Sequence, residues 1–302
     1  MTANLANPTA TTFPQRMALF ARDIKFSHTV FALPWAIFAT FLAAKGQPGA
    51  IQLVLIIACM LTARTVAMAN NRLFDSGLDK LNPRTAGRAI PSGALPPSFV
   101  ITMAITCSIG FILCTGAFYW IFGNVWPVAL SVPVLLYVSA YPLLKRFTRL
   151  CHYYLGAALA LAPVCAWIAI AGKLAWPPII MAAAVLTWTA GFDIIYACQD
   201  YESDCAAGLF SIPSRFGISA ALWIARLTHA ISAVMIVLLG IVAHPPLGTL
   251  YFTGAAIAIA LLVVEHALVR PTDLSKVGLA FFTVNGVISL LLGTLGVIDV
   301  FV

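Results

Sequence analysis

Five aspartates, among only ten carboxylates in this 302-residue chain, fall in two short stretches, each where an apolar run gives way to a polar one. The first, NNRLFDSGLDKLNPRTAGR, carries Asn71, Asp75 and Asp79; the second, DIIYACQDYESD, carries Asp193, Asp200 and Asp204. An ionised carboxylate beside hydrocarbon is costly unless it is paired or bound to metal, so these are functional candidates. A spacing of four puts Asp75 above Asp79, and Asp200 above Asp204, on one helix face. Each pair offers hard oxygen ligands to a divalent cation. Two such grips facing one another would hold a diphosphate through bridging magnesium.

The elements that must position them are membrane helices. The chain is 62% hydrophobic and 9% charged with mean hydropathy +0.98, far from a soluble composition. Apolar runs predict nine spans, at 26–44, 51–71, 97–119, 125–143, 153–171, 177–198, 218–242, 248–269 and 277–298. Proline and glycine punctuate the gaps, as in Pro96-Pro97, Pro177-Pro178 and Pro245-Pro246. The first twenty-five residues are polar or mixed and do not read as a secretory signal. The seven cysteines lie mostly in apolar runs without ligand spacing and read as small core residues. The net charge of +7 does not point to nucleic acid, because the basic residues border the spans.

Charge asymmetry orients the spans. Fourteen of the seventeen Lys and Arg are assigned to the N-terminus or the even-to-odd connections, including Arg226, whereas Lys45 and Lys173 lie opposite and Arg64 sits inside a span. This predicts a cytoplasmic N-terminus and cytoplasmic acidic loops, with the C-terminus outside. The acidic clusters follow spans two and six, which suggests two four-helix halves and a ninth helix. The halves share little sequence, so one domain over 1–302 is expected.

Asn71-x3-Asp75-x3-Asp79, Asp200-x3-Asp204 and Tyr141-x3-Lys145, each after an even-numbered span, resemble the signature of the UbiA superfamily of membrane prenyltransferases. IKFSHTVFALPWA at 24–36, NPRTAGRAIPSG at 82–93, YPLLKRFT at 141–148 and GLFSIPSRFG at 208–217 are similar to 4-hydroxybenzoate polyprenyltransferases. They are nearest the branch in bacteria that make menaquinone by the futalosine route. Two positions depart from the pattern: Arg72 and Ser203 stand where many members carry aspartate.

The resemblance implies an all-α integral membrane bundle of nine helices around a central cavity, in a bacterial inner membrane. It implies transfer of a polyprenyl group from polyprenyl diphosphate to an aromatic acid, with Mg2+, in quinone biosynthesis. The acceptor is expected to be 4-hydroxybenzoate or a similar hydroxyaromatic acid; the alternative is a naphthoate-type intermediate. Asn71, Asp75 and Asp79 would carry one magnesium, and Asp200 and Asp204 another. Tyr141 and Lys145 would reach the diphosphate, with Arg84 or Arg88 as a second phosphate contact from a Pro- and Gly-containing loop. Asp193, two turns before Asp200, would touch the acceptor phenol or help deprotonate the ring, or bond Tyr196 or another span. Arg64 would line the pocket or pair with Asp193. Arg22 would bind phosphate, an acceptor carboxylate or lipid headgroups, and His28 would line the acceptor pocket or pack between helices. Glu202, Arg146 and Arg149 read as bystanders, the arginines as topology signals. The prenyl tail requires a cavity open to the lipid bilayer; no obligate protein partner is inferred. In a different class, the intramembrane charges would serve a cation-coupled transporter, but acids at span ends rather than the midplane disfavour it.

Overall fold

Proline opens most of the long helices, at first-turn positions where its missing N–H would have no helical partner anyway. The computed structural model describes residues 12–302, so the first eleven residues of the expected domain lie outside the described residues. Helix α1 (Phe13–Asp23) precedes a 3-10 turn (Phe26–Phe31) and α2 (Leu33–Ala44). There follow α3 (Ala50–Leu81), α4 (Pro97–Phe122), α5 (Trp126–Leu144), α6 (Cys151–Ala171) and α7 (Trp176–Ala197). A 3-10 turn (Cys198–Asp200) leads into α8 (Tyr201–Ala206), then α9 (Ile212–Val242) and α10 (Thr249–Leu268). The chain ends with α11 (Val277–Leu279), a π-helical turn (Ala280–Val284) and α12 (Asn285–Asp299).

Nine helical segments among the described residues are long and apolar enough to cross a membrane, so the protein is an all-α, multi-pass membrane protein. Three differences from the sequence expectation matter. The second span does not stop at residue 71. Helix α3 runs on to Leu81, 32 residues or about 48 Å against a hydrocarbon core of about 30 Å, and carries the first acidic cluster on regular helix. Helix α9 starts at Ile212, before the expected 218, and is kinked at Gly217, whose φ of 78° only glycine adopts freely. Arg226 therefore lies well inside α9, against the face of Trp223, and is not a connection residue.

Consecutive long helices pack side by side, α3 on α4 and α5, α5 on α6, α6 on α7, α7 on α9, α9 on α10 and α10 on α12. Helix α2, expected within the first half, packs most extensively on α6 and also meets α12 and α3. Its Trp35, Phe38 and Leu42 join Trp188, Phe192, Ile236 and Tyr251 in the main buried cluster. Buried side chains in this core form a short hydrogen-bonded chain: Trp188 Nε1 donates to Asn285 Oδ1 at 2.6 Å and Asn285 Nδ2 to Glu265 Oε1 at 2.8 Å. Asn285 also donates to the Ala280 carbonyl at 3.0 Å, which satisfies an acceptor of the widened π turn.

The close approach of α6 to α7 depends on Gly156. A Cβ there would lie 2.3 Å from the backbone oxygen of Leu186, which has no freedom to yield. Gly156→Ala should lower stability by about 1–3 kcal/mol, seen as a reduced thermal midpoint in detergent, whereas Gly278→Ala, with nothing within 4 Å, should leave it within error.

Candidate active site

The ends of α3, α5 and α7 converge on one cavity of about 700 Å3. Its lining includes Asn71, Asp75, Asp79, Arg84, Arg88, Tyr141, Lys145, Asp193, Asp200, Asp204, Arg64 and His28. Arg22 is exposed and not part of the lining, so its expected contact with phosphate or an acceptor carboxylate has no support in the geometry. Glu202 is exposed and also outside the lining, as its bystander role requires.

Each of three acidic residues is held by a cation from elsewhere in the chain. Lys145 Nζ, one residue past the end of α5, donates to Asp75 Oδ2 at 2.7 Å. Arg88 Nη1 reaches both oxygens of Asp79 at 2.8 Å. Arg84 grips Asp200 in a fork, Nε to Oδ1 at 2.8 Å and Nη2 to Oδ2 at 2.5 Å. Bidentate arginine–carboxylate contacts of this kind are among the stronger protein hydrogen bonds. Burial alone would lower the Arg84 pKa, but the Asp200 bonds and charge outweigh it and raise it. Asn82 adds a bond to Asp200 Oδ1 at 2.8 Å, and Arg84 Nη1 a bond to Tyr196 Oη at 2.8 Å. The α3–α4 connection thus joins the two acidic clusters across the cavity. Arg146 is not only a topology signal: it donates to the Phe74 carbonyl at 2.5 Å and lies 3.5 Å from Asp75 Oδ1.

Asn71 does not offer its oxygen freely to a metal. Arg72 Nη1 donates to Asn71 Oδ1 at 2.6 Å, and Asn71 Nδ2 donates to Asp75 Oδ2 at 3.1 Å, so Asn71 orients Asp75. Arg72 is itself 3% exposed and pairs with Asp23 at 3.1 Å, while Asp23 Oδ1 accepts the backbone N–H of Ala89 at 3.0 Å. Asp23 and Arg72 therefore moor the Arg88 loop to α1 and α3. In sequence Arg72 stands out only as a departure from the family pattern, and Asp23 not at all, because their pairing spans 49 residues.

Among the described residues no three His, Cys, Asp or Glu side chains form a metal cage. The donor set nonetheless suits magnesium, which is usually held by one or two carboxylates together with substrate phosphates. Asp75 Oδ1 is a buried carboxylate oxygen with no hydrogen-bond donor, the kind of atom a hard cation would satisfy.

Deeper in the cavity, Asp193 bonds His152 at 2.7 Å and neither Arg64 nor Tyr196. Arg64 donates instead to the Lys25 carbonyl at 3.1 Å. Tyr141 Oη points to Met68 Sδ at 3.7 Å, with no contact to an acid. The His28 ring packs among Phe31, Phe281 and Phe282 with centroids 5.0–5.5 Å apart. Phe281 also lies 4.2 Å from the ring of Tyr196, giving the cavity an aromatic wall beside Arg84. Below these groups the lining turns apolar, through Met60, Phe111, Phe118, Leu130, Val134 and Ala166.

The sequence matches the UbiA prenyltransferase family over residues 32–287. A 4-hydroxybenzoate octaprenyltransferase of Marinobacter nauticus is 29% identical over 255 residues, 83% of this chain and 84% of that protein. The apo structure of a UbiA homologue from Aeropyrum pernix K1 superimposes with TM-score 0.80 at 27% identity, over 90% of this chain and 98% of that one. A UbiA homologue from Archaeoglobus fulgidus bound to DMAPP and Mg2+ gives TM-score 0.71 at 20% identity, over 94% and 99% of the two chains.

Removing one member of a buried ion pair leaves the other charge uncompensated, at a cost of about 3–5 kcal/mol. Arg72→Met should therefore lower the detergent thermal midpoint markedly, because Asp23 loses its guanidinium partner. Arg149→Met, at an exposed arginine, should shift it little.

Proposed function

The chain belongs to the UbiA prenyltransferase family, and from that premise we propose that it transfers a polyprenyl group from polyprenyl diphosphate to 4-hydroxybenzoate or a similar hydroxyaromatic acid. The new bond forms at a ring carbon beside the phenol, in quinone biosynthesis. The observation that carries this reading is the pairing of Lys145, Arg84 and Arg88 with Asp75, Asp200 and Asp79 at the polar end of a cavity whose other end is apolar. One end suits a polyanion with its counterions, and the other a hydrocarbon chain. A transporter gains no support from a polar end built in this way.

The reaction breaks the allylic C–O bond, forms a C–C bond to the ring and releases the proton of that ring carbon. Bound magnesium would neutralise the departing diphosphate, with Asp75 and Asp79 on one side and Asp200 and Asp204 on the other as its protein ligands. The protein's own cations do related work. Lys145 is a compact point charge for phosphate, and the planar forks of Arg84 and Arg88 match phosphate oxygens as well as carboxylates. With magnesium on the carboxylates, these three cations would be available to the diphosphate oxygens. Tyr141 lies beside them on the same cavity wall. Asp193 accepts the ring proton. Arg64 and His28, on the wall formed by α3 and the first 3-10 turn, bound the acceptor side. The tail follows the apolar lining: from Asp75 back to Ile56 along α3 is nineteen residues, about 28 Å. The proposal places the chain in a bacterial inner membrane as one domain, and the charge asymmetry supports a cytoplasmic position for this polar end.

Purified protein given a labelled polyprenyl diphosphate and a panel of aromatic acids should prenylate 4-hydroxybenzoate, lose activity in excess chelator and regain it with magnesium. Product from a naphthoate-type acid alone would transfer the assignment to that acceptor. Turnover undiminished by chelation would remove the metal from the mechanism.

Asp75→Ala and Asp200→Ala should each lower kcat by about 10²-fold or more, roughly 2.7 kcal/mol of barrier. Glu202→Gln, at an exposed position outside the cavity, should change it by less than about tenfold. Equal losses at Asp200 and Glu202, at matched amounts of folded protein, would sink the diphosphate clamp.

A further inference from the structure

His152 is the second residue of α6, is 3% exposed and lies 41 positions before the aspartate it touches. Both of its ring nitrogens are engaged. The backbone N–H of Ile212 points at Nε2 from 3.2 Å. Ile212 opens α9, so this N–H is among the first-turn donors that no helical carbonyl can satisfy. A backbone N–H can only donate, so Nε2 must present its lone pair. The ring is then neutral with its proton on Nδ1, and Nδ1–H donates to Asp193 Oδ2 at 2.7 Å. His152 is the only hydrogen-bond partner of the Asp193 carboxylate among the described residues.

We propose that His152 is the positioning residue for Asp193: its fixed Nδ1–H tautomer holds Oδ2 and leaves Oδ1, on a residue that lines the cavity, free to take the proton that the alkylated ring carbon must lose. The bookkeeping is closed within the reaction. The ring π electrons form the C–C bond to the allylic carbon, the C–O electrons leave with diphosphate, and the C–H electrons restore the aromatic ring as the proton passes to Oδ1. His152 gains and loses no proton, because its second nitrogen is committed to Ile212. The arrangement also ties this acid to the phosphate end. Two residues before Ile212, the N–H of Phe210 donates to the Lys145 carbonyl at 2.7 Å, so one short segment braces both the ring that aims Asp193 and the lysine that holds Asp75.

The inference rests on Asp193 being the proton acceptor, and its test separates the two ideas. His152→Ala, His152→Asn and Asp193→Asn would be compared with the native enzyme, using 4-hydroxybenzoate and its analogue deuterated at the carbons beside the phenol. General-base contributions run to about 10²–10⁴-fold. His152→Ala should lower kcat by about tenfold or more, leave KM for the prenyl diphosphate within about twofold, and enlarge the deuterium isotope effect as proton loss becomes limiting. His152→Asn, whose amide N–H falls near the position of Nδ1, should recover much of the rate and the smaller isotope effect. An isotope effect unchanged in His152→Ala, whether its rate is native or reduced, would overturn the positioning role while Asp193→Asn still loses activity. Full activity in Asp193→Asn would overturn the base assignment itself. Thermal midpoints of the three variants, measured alongside, identify any loss that comes from unfolding.

Discussion

Ionised acids inside a low-dielectric helix bundle must be matched by cations, and that requirement organises the polar end of this protein. Taking a carboxylate out of water costs several kcal/mol even after relaxation. Asp75 and Asp79 are 2% and 5% exposed, so solvent cannot supply the compensation. Lys145 supplies it to Asp75 from the end of α5, and the α3–α4 connection supplies it to Asp79 through Arg88 and, across the cavity, to Asp200 through Arg84. The pairs therefore fix how α3, α5, the α3–α4 connection and the turn after α7 sit relative to one another. The same cations are the groups best suited to a diphosphate, so the contacts that hold the acids in place also keep the phosphate-binding side chains at the site.

Behind this layer lies a second one, built from aromatic rings and matched amides. Trp188, Asn285 and one oxygen of Glu265 are linked by hydrogen bonds in the fully buried interior. Asn285 also bonds the π turn that carries Phe281. Phe281 packs against Tyr196, Tyr196 accepts from Arg84, and Arg84 holds Asp200. The chain of contacts from the apolar core to the charged rim is thus continuous. Interior packing of this density transmits small displacements, which makes the geometry at Asp200 dependent on residues far from it in sequence.

Much of this was legible in the residues themselves. Hydropathy over 17–25 residues is a direct reading of hydrocarbon thickness, so the nine spans and the all-α class follow from composition and run length. The spacing of Asp75 and Asp79, and of Asp200 and Asp204, marks them because an unpaired acid beside hydrocarbon is costly and seldom kept without a use. The end of α3 is not legible from hydropathy, since polarity rises at Asn71 while helix propensity does not fall until Asn82-Pro83.

What the sequence by itself determined was the inventory: nine apolar helices, two acidic clusters at their ends, and a set of basic residues on short connections. Only the tertiary structure decided the pairings. That Arg84 takes Asp200, that Asn71 turns its oxygen to Arg72, and that Asp193 meets His152 rather than Arg64 are contacts across 116, 1 and 41 positions. A local pattern encodes helix periodicity and hydrophobicity because these act over a few residues. Which charge finds which partner depends on where whole helices come to rest. That position is set by the summed packing of side chains such as Trp35, Trp188 and Tyr251, and by the close approach that Gly156 permits.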